Sequence, residues 1–179
     1  IVASLVGSEM CIRDSLSTTG IEKIECGSFV SAKWVPQMRG TDKIFQEIIR
    51  RDSVKYTALT PNLKGFENAL HAKVDEVAVF AAASETFSQK NVNCSIDESL
   101  TRFRDLFKKA SEKKMPVRGY VSCIVECPYE GKISPESVLK VASQLLDMGC
   151  YEVSLGDTIG KGTPLSLIHI SEPTRLATI

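Results

Sequence analysis

Five short apolar runs, each followed by a longer amphipathic stretch, leave few folds open to this chain. The runs are 21–30 (IEKIECGSFV), 55–60 (KYTALT), 76–82 (EVAVFAA), 117–124 (VRGYVSCI) and 151–155 (YEVSL). Runs this nearly continuous, and this rich in Val and Ile, fit strands buried on both faces of a parallel sheet. The stretches between them read as helices. Segment 42–50 places Ile44, Ile48 and Ile49 on one face, and 63–72 follows the Pro61-Asn62 turn. Segment 97–113 opens with Ser95 or Asp97 as N-cap and carries Leu100, Phe103, Leu106 and Phe107 at helical spacing. Segment 134–148 has Ser134 as N-cap, Pro135 at the first helical position and Gly149 as its stop.

Repeated strand–helix units imply parallel strands with right-handed crossovers. An open doubly wound sheet and an eight-fold barrel both satisfy that. No G-x-G-x-x-G turn follows a strand and no P-loop is present, which weakens the nucleotide-binding open sheet. A barrel of about 250 residues uses roughly 31 per unit, and five units fill 16–164 at that period. The expected fold is therefore α/β, a partial (β/α)8 barrel.

The ends do not share this pattern. Codons for 1–15 (IVASLVGSEMCIRDS) can be chosen so that their reverse complement, read in frame, encodes 165–179 (LSLIHISEPTRLATI). The two ends are then opposite strands of one inverted DNA repeat, with the look of translated sequencing adapters. The expected division is 1–15 and 165–179 as adapter-derived flanks and 16–164 as the barrel segment.

Composition matters mainly by what it excludes. The full chain carries 22 basic and 22 acidic residues. Removing Arg13, Arg175, Glu9, Asp14 and Glu172 with the flanks leaves one net positive charge. Such a balance argues against nucleic acid or a polybasic membrane patch as partner. No apolar run reaches the ~18 residues of a membrane helix. The cysteines are few and irregularly spaced, as for free thiols in a reducing compartment. Cys123 and Cys127 lack the spacing of a zinc knuckle, and Cys26, Cys94 and Cys150 read as buried small hydrophobes. Without the flanks His71 is the lone histidine, placed on a helix surface away from the strand ends. Trp34, in the long loop after the first strand, can line a pocket or brace the loop.

In a parallel barrel, functional groups gather at the C-terminal ends of strands. Those ends carry Glu25, Thr60, Asn62, Ser84, Glu85, Ser122, Cys123, Asp157 and Thr158. Glu25 and Asp157 can each be a helix cap. Two carboxylates at one mouth can also hold a hard cation or orient a hydroxyl. Arg118 and Tyr120 alternate on one strand and share a face; a buried Arg demands a carboxylate, for which Glu25 is the natural candidate. A purely internal salt bridge satisfies the same pattern. Lys90, Asn91 and Asn93 read as a polar loop beyond the third strand, suited to a phosphate-bearing ligand.

The motifs I-E-C-G-S-F-V-S-A-K-W-V-P-Q-M (24–38), L-T-P-N-L-K-G (59–65), N-V-N-C-S (91–95), R-G-Y-V-S-C (118–123), C-P-Y-E-G-K (127–132) and S-L-G-D-T-I-G (154–160) together resemble the hydroxymethylglutaryl-CoA lyase family. K-W-V-P-Q-M and C-P-Y-E-G-K separate it from related barrel enzymes such as the isopropylmalate and homocitrate synthases. The resemblance implies the second to sixth strands of a (β/α)8 barrel. It also implies cleavage of 3-hydroxy-3-methylglutaryl-CoA to acetoacetate and acetyl-CoA, in leucine catabolism and ketone-body formation. It implies Mg²⁺ or Mn²⁺ in the full-length enzyme, a CoA thioester substrate and a homodimer. The setting is the mitochondrial matrix in a eukaryote and the cytoplasm in a bacterium.

Carried over by position, Glu25 and Asp157 match active-site carboxylates. Arg118, Tyr120 and Ser154 match pocket residues, and Lys90-Asn91 fall where the family approaches CoA. The family's first-strand Arg-Asp pair, its H-x-H metal ligands and its G-G-C-P cysteine have no counterpart in this sequence. The resemblance therefore implies an active parent enzyme and an inactive, non-metal-binding chain. The alternatives are a non-catalytic fragment or an acyl-CoA-condensing synthase.

Overall fold

The computed structural model describes residues 11–171. Most of the two flanks, including Glu9, Glu172 and Arg175, lies outside the described residues. The chain divides after Ala78 into two units.

The first unit holds strand β1 (Lys23–Ser28), helix α1 (Thr41–Glu47), strand β2 (Lys55–Leu59), helix α2 (Leu63–His71) and the start of strand β3 (Glu76–Ala82). β1 pairs parallel to β2 and β2 parallel to β3, as apolar strands joined through helices should. Along β1, Ile24 and Cys26 are buried and Glu25 is exposed, so the period-two alternation puts the acid on the face opposite the apolar residues. The register shifts between Glu25 and Gly27, a bulge. Gly27 is required there, because a Cβ would lie 2.8 Å from Thr41 Oγ1. Thr41 in turn donates to the Ser28 carbonyl at 3.0 Å, seating α1 against the end of β1.

The sequence expectation for α1 needs correcting at its end. Ile44 and Ile48 are buried, but Ile49 is 67% exposed and the helix stops at Glu47. The Tyr56 hydroxyl explains this. It donates to the Ile49 carbonyl and accepts the Arg51 N–H, holding the turn into β2.

The second unit holds the rest of β3, helices α3 (Glu85–Val92) and α4 (Ile96–Lys113), and strand β4 (Val117–Ser122). It continues with the short antiparallel pair β5 (Glu126–Cys127) and β6 (Gly131–Lys132), helix α5 (Pro135–Met148), strand β7 (Glu152–Gly156) and helix α6 (Pro164–Ser171). β4 lies between β3 and β7, and pairs parallel to β7. Helix α4 starts at Ser95 through a capping box in which Ser95 and Glu98 satisfy each other's backbone N–H. It buries Leu100, Phe103, Leu106 and Phe107, each worth about 1.5–3 kcal/mol of apolar burial. Helix α5 has the N-cap, first-turn proline and left-handed Gly149 that its sequence predicts.

Two further elements depart from expectation. The polar loop around Lys90 is helix α3, whose N-cap is Ser84, accepting the Phe87 N–H. Helical structure also occurs in the flanks, at 11–16 and in α6. The start of α6 is encoded by Thr163-Pro164, where Thr163 and Ser166 exchange side-chain-to-backbone hydrogen bonds around a first-turn proline.

Candidate active site

β4 has two unlike faces. Val117, Gly119, Val121 and Cys123 are buried, whereas Arg118, Tyr120 and Ser122 are half-buried. The buried face packs on α5: a Cβ at Gly119 would meet Cys150 Sγ and Leu145 Cδ1, each at 3.1 Å. The other face carries the polar groups. The parallel register sets Arg118 opposite Glu152 and Tyr120 opposite Ser154, so the four side chains form one patch across two strands.

Within this patch the Arg118 guanidinium forms an ion pair with Glu152 through Nη2 and Oε1. Burial opposes the charge, but a hydrogen bond to Tyr120 and the Glu152 carboxylate outweigh it, so the Arg118 pKa is raised. Arg118 Nε is buried and has no hydrogen-bond partner. The guanidinium is thus fixed and charged. In this unit the carboxylate paired with Arg118 is Glu152, a residue outside the candidates read from the sequence. Each is the second residue of its apolar run, a shared position that could have suggested the pair. Only the strand register turns that shared position into contact.

Just beyond β7, Asp157 organises the following loop. Its Oδ1 accepts the Lys161 N–H at 3.1 Å and its Oδ2 the Gly162 N–H at 2.6 Å. Thr158 Oγ1 accepts the Cys123 N–H at 2.7 Å, tying the ends of β4 and β7 together. Cys123 sits there in the left-handed region at φ 60°. Burial pushes its thiol up to about 11, which disfavours the thiolate at neutral pH. Cys26 is likewise pushed up to about 11 and Cys150 to about 12, in keeping with their reading as small core residues.

In the first unit, Glu25 borders a cavity of about 270 Å³ lined also by Arg13, Gln37, Arg39 and Thr41. A larger cleft of about 700 Å³ lies by α1 and α2 and includes Lys64 and His71, but not Glu25. His71 is exposed at the end of α2, and Trp34 is 80% exposed. Asn62 caps α2 and Ser84 caps α3, which gives these two strand-end residues structural duties. Lys90 lies in the last turn of α3 with Asn91 beside it, both exposed. Among the described residues no three His, Cys, Asp or Glu side chains come together as a metal site.

Comparison with known proteins gives a consistent answer. A Pseudomonas aeruginosa 3-hydroxy-3-isohexenylglutaryl-CoA/hydroxy-methylglutaryl-CoA lyase is 56% identical over 158 residues, covering 88% of this chain and 53% of that protein. The mitochondrial hydroxymethylglutaryl-CoA lyase of Bos taurus is 56% identical over 151 residues, covering 84% and 46%. The chain spans about half the length of the curated relatives it matches. Among solved structures, the HMG-CoA lyase from Brucella melitensis superposes with TM-score 0.91 at 46% identity, covering 93% of this chain and 59% of that one. An HMG-CoA lyase from Acinetobacter baumannii, in complex with coenzyme A and 3-methylmalate, superposes with TM-score 0.91 at 31% identity, covering 97% and 57%. The fold is accordingly a partial (β/α)8 barrel. The HMGL-like family profile matches residues 6–172, and the chain belongs to that family.

Proposed function

We propose that the protein from which this chain comes is a carbon–carbon lyase that cleaves 3-hydroxy-3-methylglutaryl-CoA to acetoacetate and acetyl-CoA. The observation that carries this reading is the patch on β4 and β7, where Arg118 is held charged by Tyr120 and Glu152 beside Ser154. A fixed, charged guanidinium suits the carboxylate or thioester oxygen of such a substrate. In the cleavage the substrate hydroxyl loses its proton and the adjacent carbon–carbon bond breaks. The electron pair passes to the acetyl-CoA enolate, which then takes up a proton. Arg118 would orient the substrate and Tyr120 and Ser154 would line the pocket. Glu25 is proposed as the catalytic carboxylate, and Asp157 as the carboxylate at the end of β7. Lys90 and Asn91 are proposed to meet the CoA moiety.

The divalent cation implied by the resemblance, Mg²⁺ or Mn²⁺, does not fit the described residues, which assemble no donor set for it. This chain is proposed to be inactive alone. The native barrel segment is proposed to be 16–164, on the strength of the complementary coding of the two ends. A homodimer is proposed for the full-length enzyme. Relatives carry both mitochondrial and cytoplasmic names, and no described helix is long and apolar enough to cross a membrane. The matrix in a eukaryote and the cytoplasm in a bacterium are the proposed settings.

The test is a chimera that supplies the remaining strands from the Pseudomonas aeruginosa relative. It should release acetoacetate from 3-hydroxy-3-methylglutaryl-CoA, and the 179-residue chain alone should not. Condensation of acetyl-CoA with a 2-oxo acid, without cleavage, would overturn the proposal in favour of a synthase. A folded chimera with neither activity would mark the segment as non-catalytic.

A further inference from the structure

Helix α3 is poorly held by its own sequence, since Ser88 is its one buried residue. The hairpin β5–β6, which contains C-P-Y-E-G-K, supplies what seats it. Glu130 Oε2 accepts the Thr86 N–H at 3.2 Å, in the first turn of α3. Ser84, the N-cap of α3, donates its hydroxyl to Cys127 Sγ at 3.0 Å. Tyr129 packs near Phe87, with ring centroids 6.3 Å apart, and donates its N–H to Cys127 Sγ. The Lys90 ammonium then lies over the Tyr129 ring, 4.4 Å from its centroid.

We infer that Tyr129 is a positioning residue for Lys90, holding its ammonium where the phosphate-bearing end of a CoA thioester docks. The inference rests on the reading of Lys90 proposed above. The four-carbon stem of a lysine is flexible, so an unheld ammonium meets a phosphate at an entropic cost. A carboxylate partner would fix it but cancel its charge. The face of an aromatic ring fixes it and leaves the positive charge, with donors free for an anion. Lys90 has the ring and makes no ion pair among the described residues. Gly131, in the left-handed region at φ 77°, makes the turn that brings Tyr129 and Glu130 back onto α3.

The experiment measures binding of CoA and of pantetheine, which lacks the phosphates, to the 179-residue chain. Four forms are compared: unsubstituted, Tyr129→Phe, Tyr129→Leu and Lys90→Ala. Tyr129→Leu should weaken CoA about threefold and leave pantetheine unchanged, and Tyr129→Phe should keep the original affinity. Lys90→Ala should weaken CoA at least as much, and adding Tyr129→Leu to it should change nothing further. Equal losses for CoA and pantetheine, or additive losses in the double variant, overturn the positioning role and leave Lys90 itself standing. Unchanged CoA affinity in Lys90→Ala, or no CoA binding by the unsubstituted chain, overturns the Lys90 reading and this inference with it.

Discussion

β3 and β4 begin as the same kind of apolar run and end as different strands. In β3 every residue is buried except Phe80, which is half-buried. In β4 burial alternates strictly, and the open positions are Arg118, Tyr120 and Ser122. A strand that needed only to fold would place apolar side chains on both faces, as β3 does from Val77 to Ala82, beyond the buried Glu76 that pairs with Lys23. β4 instead gives one face to α5 and keeps an arginine and a tyrosine on the other, paired with Glu152 and facing Ser154 on β7. The difference separates the residues that hold the unit together from those proposed for the site.

That separation can be broken in graded steps. Gly119→Val drives a branched side chain into Cys150, Leu145 and Val153, and should cost about 3 kcal/mol in urea unfolding. A cost below about 0.5 kcal/mol would show the helix-facing side to be loosely packed. Val79→Ala, fully buried on β3, should cost about 2 kcal/mol by the same measurement. Arg118→Met, on the open face, should change stability by less than about 1 kcal/mol, because both partners of its ion pair are partly exposed. In the chimera the same change should abolish turnover. A variant that keeps its activity would remove Arg118 from the site.

The smallest effect concerns pH. The Thr86 side-chain hydrogen bond is the main cause holding the Glu130 carboxyl below its ordinary value, and the Thr86 N–H adds a smaller part. Their contribution is therefore complete above the ordinary carboxylate value and is lost as pH falls through the lowered one. The Thr86 amide should lose exchange protection on acidification, and in Glu130→Gln that pH dependence should vanish.

The strands and the long helices were legible because hydrophobic period and caps agree, as at Ser134-Pro135 through Gly149. Helix α3 was not, because its polar surface offers no apolar stripe. Its signal was Ser84 ahead of Glu85, an N-cap followed by an acidic first turn. The hairpin was missed because two-residue strands carry no periodicity. In the site, the shared face of Arg118 and Tyr120 could be read from alternation alone. Glu152 could not, since which residue stands opposite Arg118 depends on register and not on sequence distance. Ile49 failed for another reason: its helical spacing was right, but the grip of Tyr56 on the following turn ended the helix first.

The clasp made by Asp157 bears on how readily the end of β7 can receive a ligand. Gly156, Gly160 and Gly162 flank or interrupt that loop, and so many glycines would ordinarily leave a segment wandering among many shapes. With both carboxylate oxygens engaged on the Lys161 and Gly162 amides, much of that wandering is removed during folding. A molecule arriving there meets a shaped rim, and little of its binding free energy goes into stilling the loop.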